Sequence, residues 1–284
     1  MNILVVGATG MLGHTVYRVL TETVHWQVYG TVRSHGAERF FLPKFRKNLI
    51  CGVDIGYEDA ILGAFKIARP DVVINCVGLI KQNTSATDPL QAIPLNSIWP
   101  HRLALICDIF NSRLVHISTD CVFTGVSGKY GECDHPDARD LYGLSKCLGE
   151  VRYKNAITLR TSIIGHELGS KHGLVEWFLS QTEFCYGYTN AVFSGLPTVV
   201  LSNVIRDIVI PRKDLTGLYH VSSQPISKFN LLKLIASVYE KTINIIPDDK
   251  LVVNRSLNSE LFRGVTGYNA PEWPELIKTM MRYK

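Results

Sequence analysis

Tyr142 and Lys146 stand four residues apart in DLYGLSKCLGE, residues 140–150. Four residues is about one helical turn, so in a helix both side chains leave the same face with Cβ atoms roughly 5–6 Å apart. A free tyrosine titrates near ~10, too high to exchange protons readily at neutral pH, and a nearby lysine cation favours the phenolate and lowers that value. The pair is suited to moving a proton to or from a bound group. The bland alternative is a surface turn of helix with two common amphipathic side chains, and the rest of the chain has to decide between them.

A second set lies at the N-terminus. VVGATGMLGHT spaces Gly7, Gly10 and Gly13 as G-x-x-G-x-x-G, with Thr9, Met11 and Leu12 between them, after an apolar run and before a helical pattern. Small residues there let backbone approach a pyrophosphate, and the helix N-terminus supplies free N–H groups and a positive dipole end. A glycine triplet alone is weak, but a strand before it and a helix after it make it a dinucleotide loop rather than a tight turn. The next apolar run ends at Arg33, where an acidic residue would take a ribose 2′-hydroxyl. A guanidinium suits a 2′-phosphate instead, which favours NADP(H) over NAD(H). The competing role for Arg33 is to cap a surface loop.

These residues need a scaffold, and the apolar runs supply one. Strands are expected at 3–7, 27–33, 48–54, 71–78, 113–119 and 156–165, with helical stretches between them, the first over 11–20. Unbroken apolar strands separated by helices indicate a parallel sheet covered on both faces. The fold class is α/β, a Rossmann-type doubly wound parallel sheet with a smaller C-terminal substrate-binding lobe. Residues 1–165 form the NADP(H)-binding part, 197–223 return to it through a helix over 197–209 and a strand over 217–223, and 166–196 and 224–284 form the lobe. The lobe carries an amphipathic helix over 227–241 and a last helix over 271–281 with Pro271 and Glu272 in its first turn.

Composition narrows the classes. The 284 residues are 46% apolar and 19% charged, as in an ordinary soluble globular protein. A net charge of +5 is too mild to argue for nucleic acid. Seven cysteines without C-x-x-C pairs suggest neither a disulfide framework nor a zinc cluster, and the histidines show no metal spacing, so no metal is expected. The first residues have no basic segment before their apolar run, and no apolar run approaches ~18 residues, so a cytoplasmic protein without a membrane span is expected.

With the glycine loop, HISTDCVFTG (116–125) and YGLSK (142–146) in this order, the chain resembles an extended short-chain dehydrogenase/reductase. Within that group it is most similar to the dTDP-4-dehydrorhamnose reductase family, whose S-T-D-Y-V-F-x-G strand motif is matched by Ser118 to Gly125. NCVG (75–78), RTSIIG (160–165) and GLPT (195–198) extend the likeness over most of the chain. The resemblance implies a catalytic set of Thr119, Tyr142 and Lys146. Thr119 bonds the substrate carbonyl, Tyr142 donates the proton as hydride arrives, and Lys146 also holds the nicotinamide ribose. It further implies cofactor contacts from Gly7, Thr9, Gly10, Met11, Leu12, Gly13, Arg33, Asp54, Ile55, Cys76, Val77, Gly78 and Thr161. Asp54 and Ile55 resemble the adenine contact. Substrate contacts are expected from Ser118, Asp120, Cys121, Val122, Trp177 and Arg255.

The resemblance thus implies NADPH-dependent reduction of the 4-keto group of a dTDP- or UDP-linked 4-keto-6-deoxy sugar in bacterial surface-polysaccharide synthesis. Cys121 departs from the family tyrosine, which signals either a different sugar or a simple change of core size. Trp177, Phe178, Tyr186, Tyr188 and Phe193 could stack a nucleobase or form lobe core, and Arg255 and Arg263 could meet a pyrophosphate or lie in solvent. Related 4,6-dehydratases carry Thr-Asp-Glu, and the missing glutamate after Asp120 argues against elimination. Two alternatives stay open: a non-catalytic nucleotide-binding subunit resembling the methionine adenosyltransferase β subunit, and an epimerase with tightly held NAD. A homodimer is also open.

Overall fold

The computed structural model describes residues 1–81 and 84–284. Six strands precede residue 165 in the main sheet: β1 (Asn2–Val6), β2 (Gln27–Val32), β3 (Leu49–Cys51), β4 (Val72–Asn75), β5 (Arg113–Thr119) and β6 (Ala156–Thr161). A seventh, Gly217–His220, pairs with β6. The order is Gly217–His220, β6, β5, β4, β1, β2, β3, and every pairing is parallel.

The apolar runs form a two-sided sheet because alternate side chains face opposite layers. Ile3 and Val5 pack with Val16, Tyr17 and Leu20 of helix α1 (Met11–Thr21). Leu4 and Val6 pack with Ile61 and Phe65 of helix Glu58–Ala68 and with Leu103 of helix Trp99–Ile109. All six residues of β6 are buried, so no strand face is left for solvent there. The chain runs outward from β1 through β3, then crosses to β4 and outward again. The carboxyl ends of β1 and β4 therefore flank the switch point, where open sheets of this kind form a crevice.

Several elements end sooner than the apolar runs suggest. The 71–78 run stops as a strand at Asn75, whose Oδ1 accepts the Val77 N–H at 3.2 Å and turns the chain. The 48–54 run stops at Cys51, before Gly52 with φ +77°. The 156–165 run divides at Ser162, whose carbonyl accepts the Leu196 N–H at 2.9 Å, and Ile163–Ile164 pairs with Leu196–Pro197. The last helix spans Trp273–Arg282; Glu272 is its N-cap with extended backbone, and Pro274, not Pro271, occupies the first turn.

The later residues return to the sheet and also build a lobe. Helix Thr198–Val204 lies against α1, where Thr15 Oγ1 donates to Thr198 Oγ1 at 3.2 Å. Strand Phe184–Tyr188 pairs with Asn244–Asp248, and Ala191–Phe193 pairs with both Ile226–Ser227 and Val253–Asn254. Phe178, Phe193, Leu231, Ile235 and Trp273 belong to the same apolar cluster as Ile3 and Val16. Lobe and sheet thus share one core. Among the described residues no helix is long and apolar enough to cross a membrane.

Candidate active site

The glycine loop owes each glycine to a different constraint. Gly7 has φ +85°, and a Cβ there would lie 2.7 Å from Val77 Cγ2. A Cβ on Gly13 would lie 2.0 Å from the Gly7 carbonyl oxygen, so α1 can sit this close to the loop only without one. Gly10 is different: the nearest atom to its Cβ would be 3.7 Å away, so the protein itself leaves room there. The space above Gly10 opens on the crevice. Gly10 is also the N-cap of α1, without a side-chain cap and without an acidic residue in the first turn. Open N–H groups, a positive dipole end and close backbone access fit a pyrophosphate.

A cavity of about 740 Å³ occupies the carboxyl edge of the sheet. Thr9, Gly10, Met11 and Leu12 line one side, and Cys76, Val77 and Gly78 line the turn after β4. Ser118, Thr119, Asp120 and Cys121 approach from the end of β5, Tyr142 and Lys146 from the helix Leu141–Leu148, Thr161 from β6, and Arg255 and Lys228 from the lobe.

Asp140 starts the Tyr142–Lys146 helix by accepting the Gly143 N–H at 2.9 Å, and its other oxygen pairs with Lys81 at 2.8 Å. The helix then lies directly on the turn after β5: a Cβ on Gly143 would be 2.3 Å from the Cys121 carbonyl oxygen. Thr119, the last residue of β5, accepts the Cys121 N–H at 3.1 Å and donates to Asp120 Oδ1 at 3.2 Å. Lys146 is buried, and its ammonium donates to the Ile117 carbonyl at 2.9 Å. Burial pushes its pKa down to about 8, with Glu150 opposing.

Tyr142 does not behave as the four-residue spacing suggests. Burial is the largest influence and pushes its phenol well above the usual range; the neighbouring Cys121 and Asp120 add to this, and a bond from Thr119 opposes it. The phenol is therefore a stored proton at neutral pH. Burial also raises the Asp120 carboxyl, against Arg255 and Lys228, and lifts the Cys121 thiol to about 12, which keeps that sulfur protonated and unreactive.

Other expected residues fall elsewhere. Arg33 is exposed just beyond β2, with no partner among the described residues, and lies outside the 740 Å³ cavity. Asp54 Oδ1 accepts the Gly56 N–H at 2.9 Å, while Ile55 packs on the Leu4 side of the core. Val122 is fully buried with Phe123, Tyr130 and Leu257, so it supports the wall without lining it. Trp177 does not reach the cavity. Its helix, Leu174–Ser180, buries Val175 and Phe178, which leaves Trp177 over a separate hollow of about 520 Å³ beside Phe184, Tyr186 and Tyr188. Phe193 lines the main cavity, whereas Arg263 pairs with Glu260 away from it.

The family model described as RmlD substrate binding domain matches residues 1–282. The chain belongs to that family. A probable low-salt glycan biosynthesis reductase of Haloferax volcanii is 29% identical over 277 residues, covering 93% of this chain and 86% of that protein. The methionine adenosyltransferase 2 subunit beta of Danio rerio is 34% identical over 150 residues, 52% of this chain and 42% of that protein. Among solved structures, dTDP-4-dehydrorhamnose reductase from Bacillus anthracis in complex with NADP superposes with a TM-score of 0.82 at 22% identity, covering 99% of this chain and 98% of that one. At that identity the likeness shows the fold.

In this RmlD substrate binding domain the site also depends on residues the sequence reading passed over. Asn96 Oδ1 accepts the Leu79 N–H at 2.9 Å, and its Nδ2 donates to Ser145 Oγ at 3.1 Å. One side chain thus joins the turn after β4 to the Tyr142–Lys146 helix. A Cβ on Gly149 would lie 1.9 Å from the Asn96 carbonyl oxygen, so that helix ends directly on the Asn96 turn. The available signal was an asparagine inside the apolar run IPLNSIWP, where a buried amide must find partners.

Proposed function

We propose that this chain reduces the 4-keto group of a nucleotide-linked 4-keto-6-deoxy sugar, with NADPH as the reductant. The observation that carries this reading is the meeting of Thr119, Tyr142 and Lys146 on one cavity, beside the open end of α1. NADPH, when bound, supplies the hydride. The glycine loop would hold its pyrophosphate, Arg33 its 2′-phosphate, and Lys146 its nicotinamide ribose. Tyr142 gives its proton to the carbonyl oxygen as that oxygen gains charge. Burial keeps the phenol protonated until that moment, and the transfer remains favourable because a developing alkoxide is more basic than a phenolate. Thr119 turns its hydroxyl from Asp120 to the same oxygen, which places a second donor where charge develops.

The cations Lys81, Lys228 and Arg255 on the cavity wall suit an anionic sugar nucleotide. Cys121 in place of the family tyrosine leaves space for a bulkier sugar, so UDP-linked 2-acetamido sugars belong beside dTDP-4-dehydrorhamnose as substrates. A place in glycan precursor synthesis follows from such a product. The test is NADPH oxidation with a panel of these 4-keto sugar nucleotides. Turnover with one of them establishes the reaction and names the nucleotide.

A second reading has one observation behind it, the 34% identity to the methionine adenosyltransferase subunit over half of this chain. It expects tight NADPH binding with no turnover on any sugar in the panel.

A further inference from the structure

Behind the cavity wall lies a buried ion pair that lines no part of the cavity, although its carboxylate opposes the loss of the Lys146 proton. Glu150 follows the Tyr142–Lys146 helix by two residues, and Arg160 lies on β6. The two side chains are 4% and 0% exposed. Glu150 Oε1 accepts from Arg160 Nε at 2.8 Å, and Oε2 accepts from Arg160 Nη2 at 2.6 Å. Burying such a pair is costly, and well-packed apolar residues often serve stability as well or better. Its contacts suggest a different reason for it.

Glu150 Oε1 also accepts from Ser118 Oγ at 2.7 Å, and Ser118 immediately precedes Thr119. The Arg160 guanidinium lies 5.0 Å over the Phe123 ring. One ion pair therefore holds both ends of the segment 118–123, and Thr119, Asp120 and Cys121 between those ends face the cavity. The remaining contact completes the network. Arg160 Nη1 meets His220 Nε2 at 3.0 Å, and a guanidinium can only donate. His220 must then carry its proton on Nδ1, which donates to the Tyr130 carbonyl at 2.9 Å. A buried network with each of these bonds made has one arrangement, and that rigidifies what it touches.

We propose that the Glu150–Arg160 pair is a clamp that sets the Tyr142–Lys146 helix against the Thr119 end of β5, and that Glu150 is a positioning residue for the reaction. Its effect on turnover rests on the reductase reading; the clamp itself does not. Tyr142 and Thr119 must reach the same oxygen, and an error of about 1 Å in such an arrangement can cost on the order of 10²-fold in rate.

Two variants separate the parts. Glu150→Gln keeps an oxygen for Ser118 but removes the charge that holds Arg160. Ser118→Ala keeps the ion pair and cuts its arm to β5; because Ser118 also lines the cavity, hydrogen exchange rather than turnover is its deciding readout, and it carries the test if Glu150→Gln does not fold. Both are compared with the wild type by hydrogen exchange over 113–124 and 141–150, by NADPH binding, and by turnover. The clamp predicts faster exchange across 118–123 in both variants. It predicts kcat lowered on the order of 10²-fold in Glu150→Gln and less in Ser118→Ala, with KM for NADPH near the wild-type value in Ser118→Ala, which keeps the Glu150 charge beside Lys146. Unchanged exchange across 118–123 overturns it, as does a loss of kcat in Ser118→Ala matched by an equal loss of NADPH affinity. A wild type silent on every sugar, with 118–123 loosened in the variants, leaves the clamp standing and sinks the reductase reading.

Discussion

Gly143 and Cys121 meet so closely that a methyl group does not fit between them: the Cβ that Gly143 lacks would lie 2.3 Å from the Cys121 carbonyl oxygen and 2.6 Å from Ala138 Cβ. The Tyr142–Lys146 helix thus rests on the turn that presents Thr119. Because the obstacle is backbone, it cannot swing aside as a side-chain tip would. Gly143→Ala must push the helix off the turn, at a cost of about 1–3 kcal/mol. Thermal unfolding should show a lowered Tm, and turnover should fall further than cofactor affinity. A variant with wild-type kcat would show that the helix can move without consequence.

The Tyr142 phenol tests the proton step. Tyr142→Phe removes one oxygen from a residue that burial keeps protonated, and leaves the ring in place. General-acid catalysis contributes about 10²–10⁴-fold, so kcat should fall by that factor. NADPH affinity, which the proposed reading assigns to the glycine loop and Lys146, should change little. Single-turnover kinetics with tight NADPH binding would check both at once, and near-wild-type turnover would remove Tyr142 from the mechanism.

The sheet was legible because its strands are unbroken apolar runs, and burial on both faces requires such runs whatever the partners are. Gly7, Gly13, Tyr142 and Lys146 were legible because loop and helix geometry act over a few residues. The ends of β3 and β4 were not, since a positive φ at Gly52 and the Asn75 side chain stopped strands whose composition continued. Trp177 misled for a related reason: an aromatic residue on a short helix beside the cavity reads the same whichever face it takes. Asn96 and the Glu150–Arg160 pair depend on partners that distance in the chain conceals. The Asn96–Ser145 bond spans 49 residues, and neither residue has a local pattern that announces the other.

Arg33 tests the choice of cofactor. It stands exposed beyond β2 with no partner among the described residues, so a 2′-phosphate would be its first charge partner. Charge-assisted bonds of this kind contribute about 1.5–3 kcal/mol. Arg33→Glu should therefore weaken NADPH by about one to two orders of magnitude, with a smaller change for NADH. Titration of both cofactors against both proteins measures this. Equal losses would assign Arg33 to the loop rather than to the phosphate.

Lys146 sets function against stability. Burial lowers its pKa from 10.5 to about 8, so the fold disfavours the ammonium that the proposed reaction needs. Between about 8 and 10.5 the unfolded chain binds more protons than the folded one, so stability rises with pH through that window. Below 8 both states are protonated and the full cost, roughly 3 kcal/mol, is present. Lys146→Met removes this cost but orphans the Ile117 carbonyl, which costs about 1–3 kcal/mol. At neutral pH the variant should be as stable as the wild type or more so, with turnover lost. As pH rises toward 10.5 the wild type should gain on it. Urea midpoints of both proteins at neutral pH and inside the window decide the matter: a variant that is much less stable at neutral pH would mean that the ammonium is not penalised by its burial. The same titration predicts that kcat/KM for NADPH declines above pH 8, as the cation proposed to hold the ribose is lost.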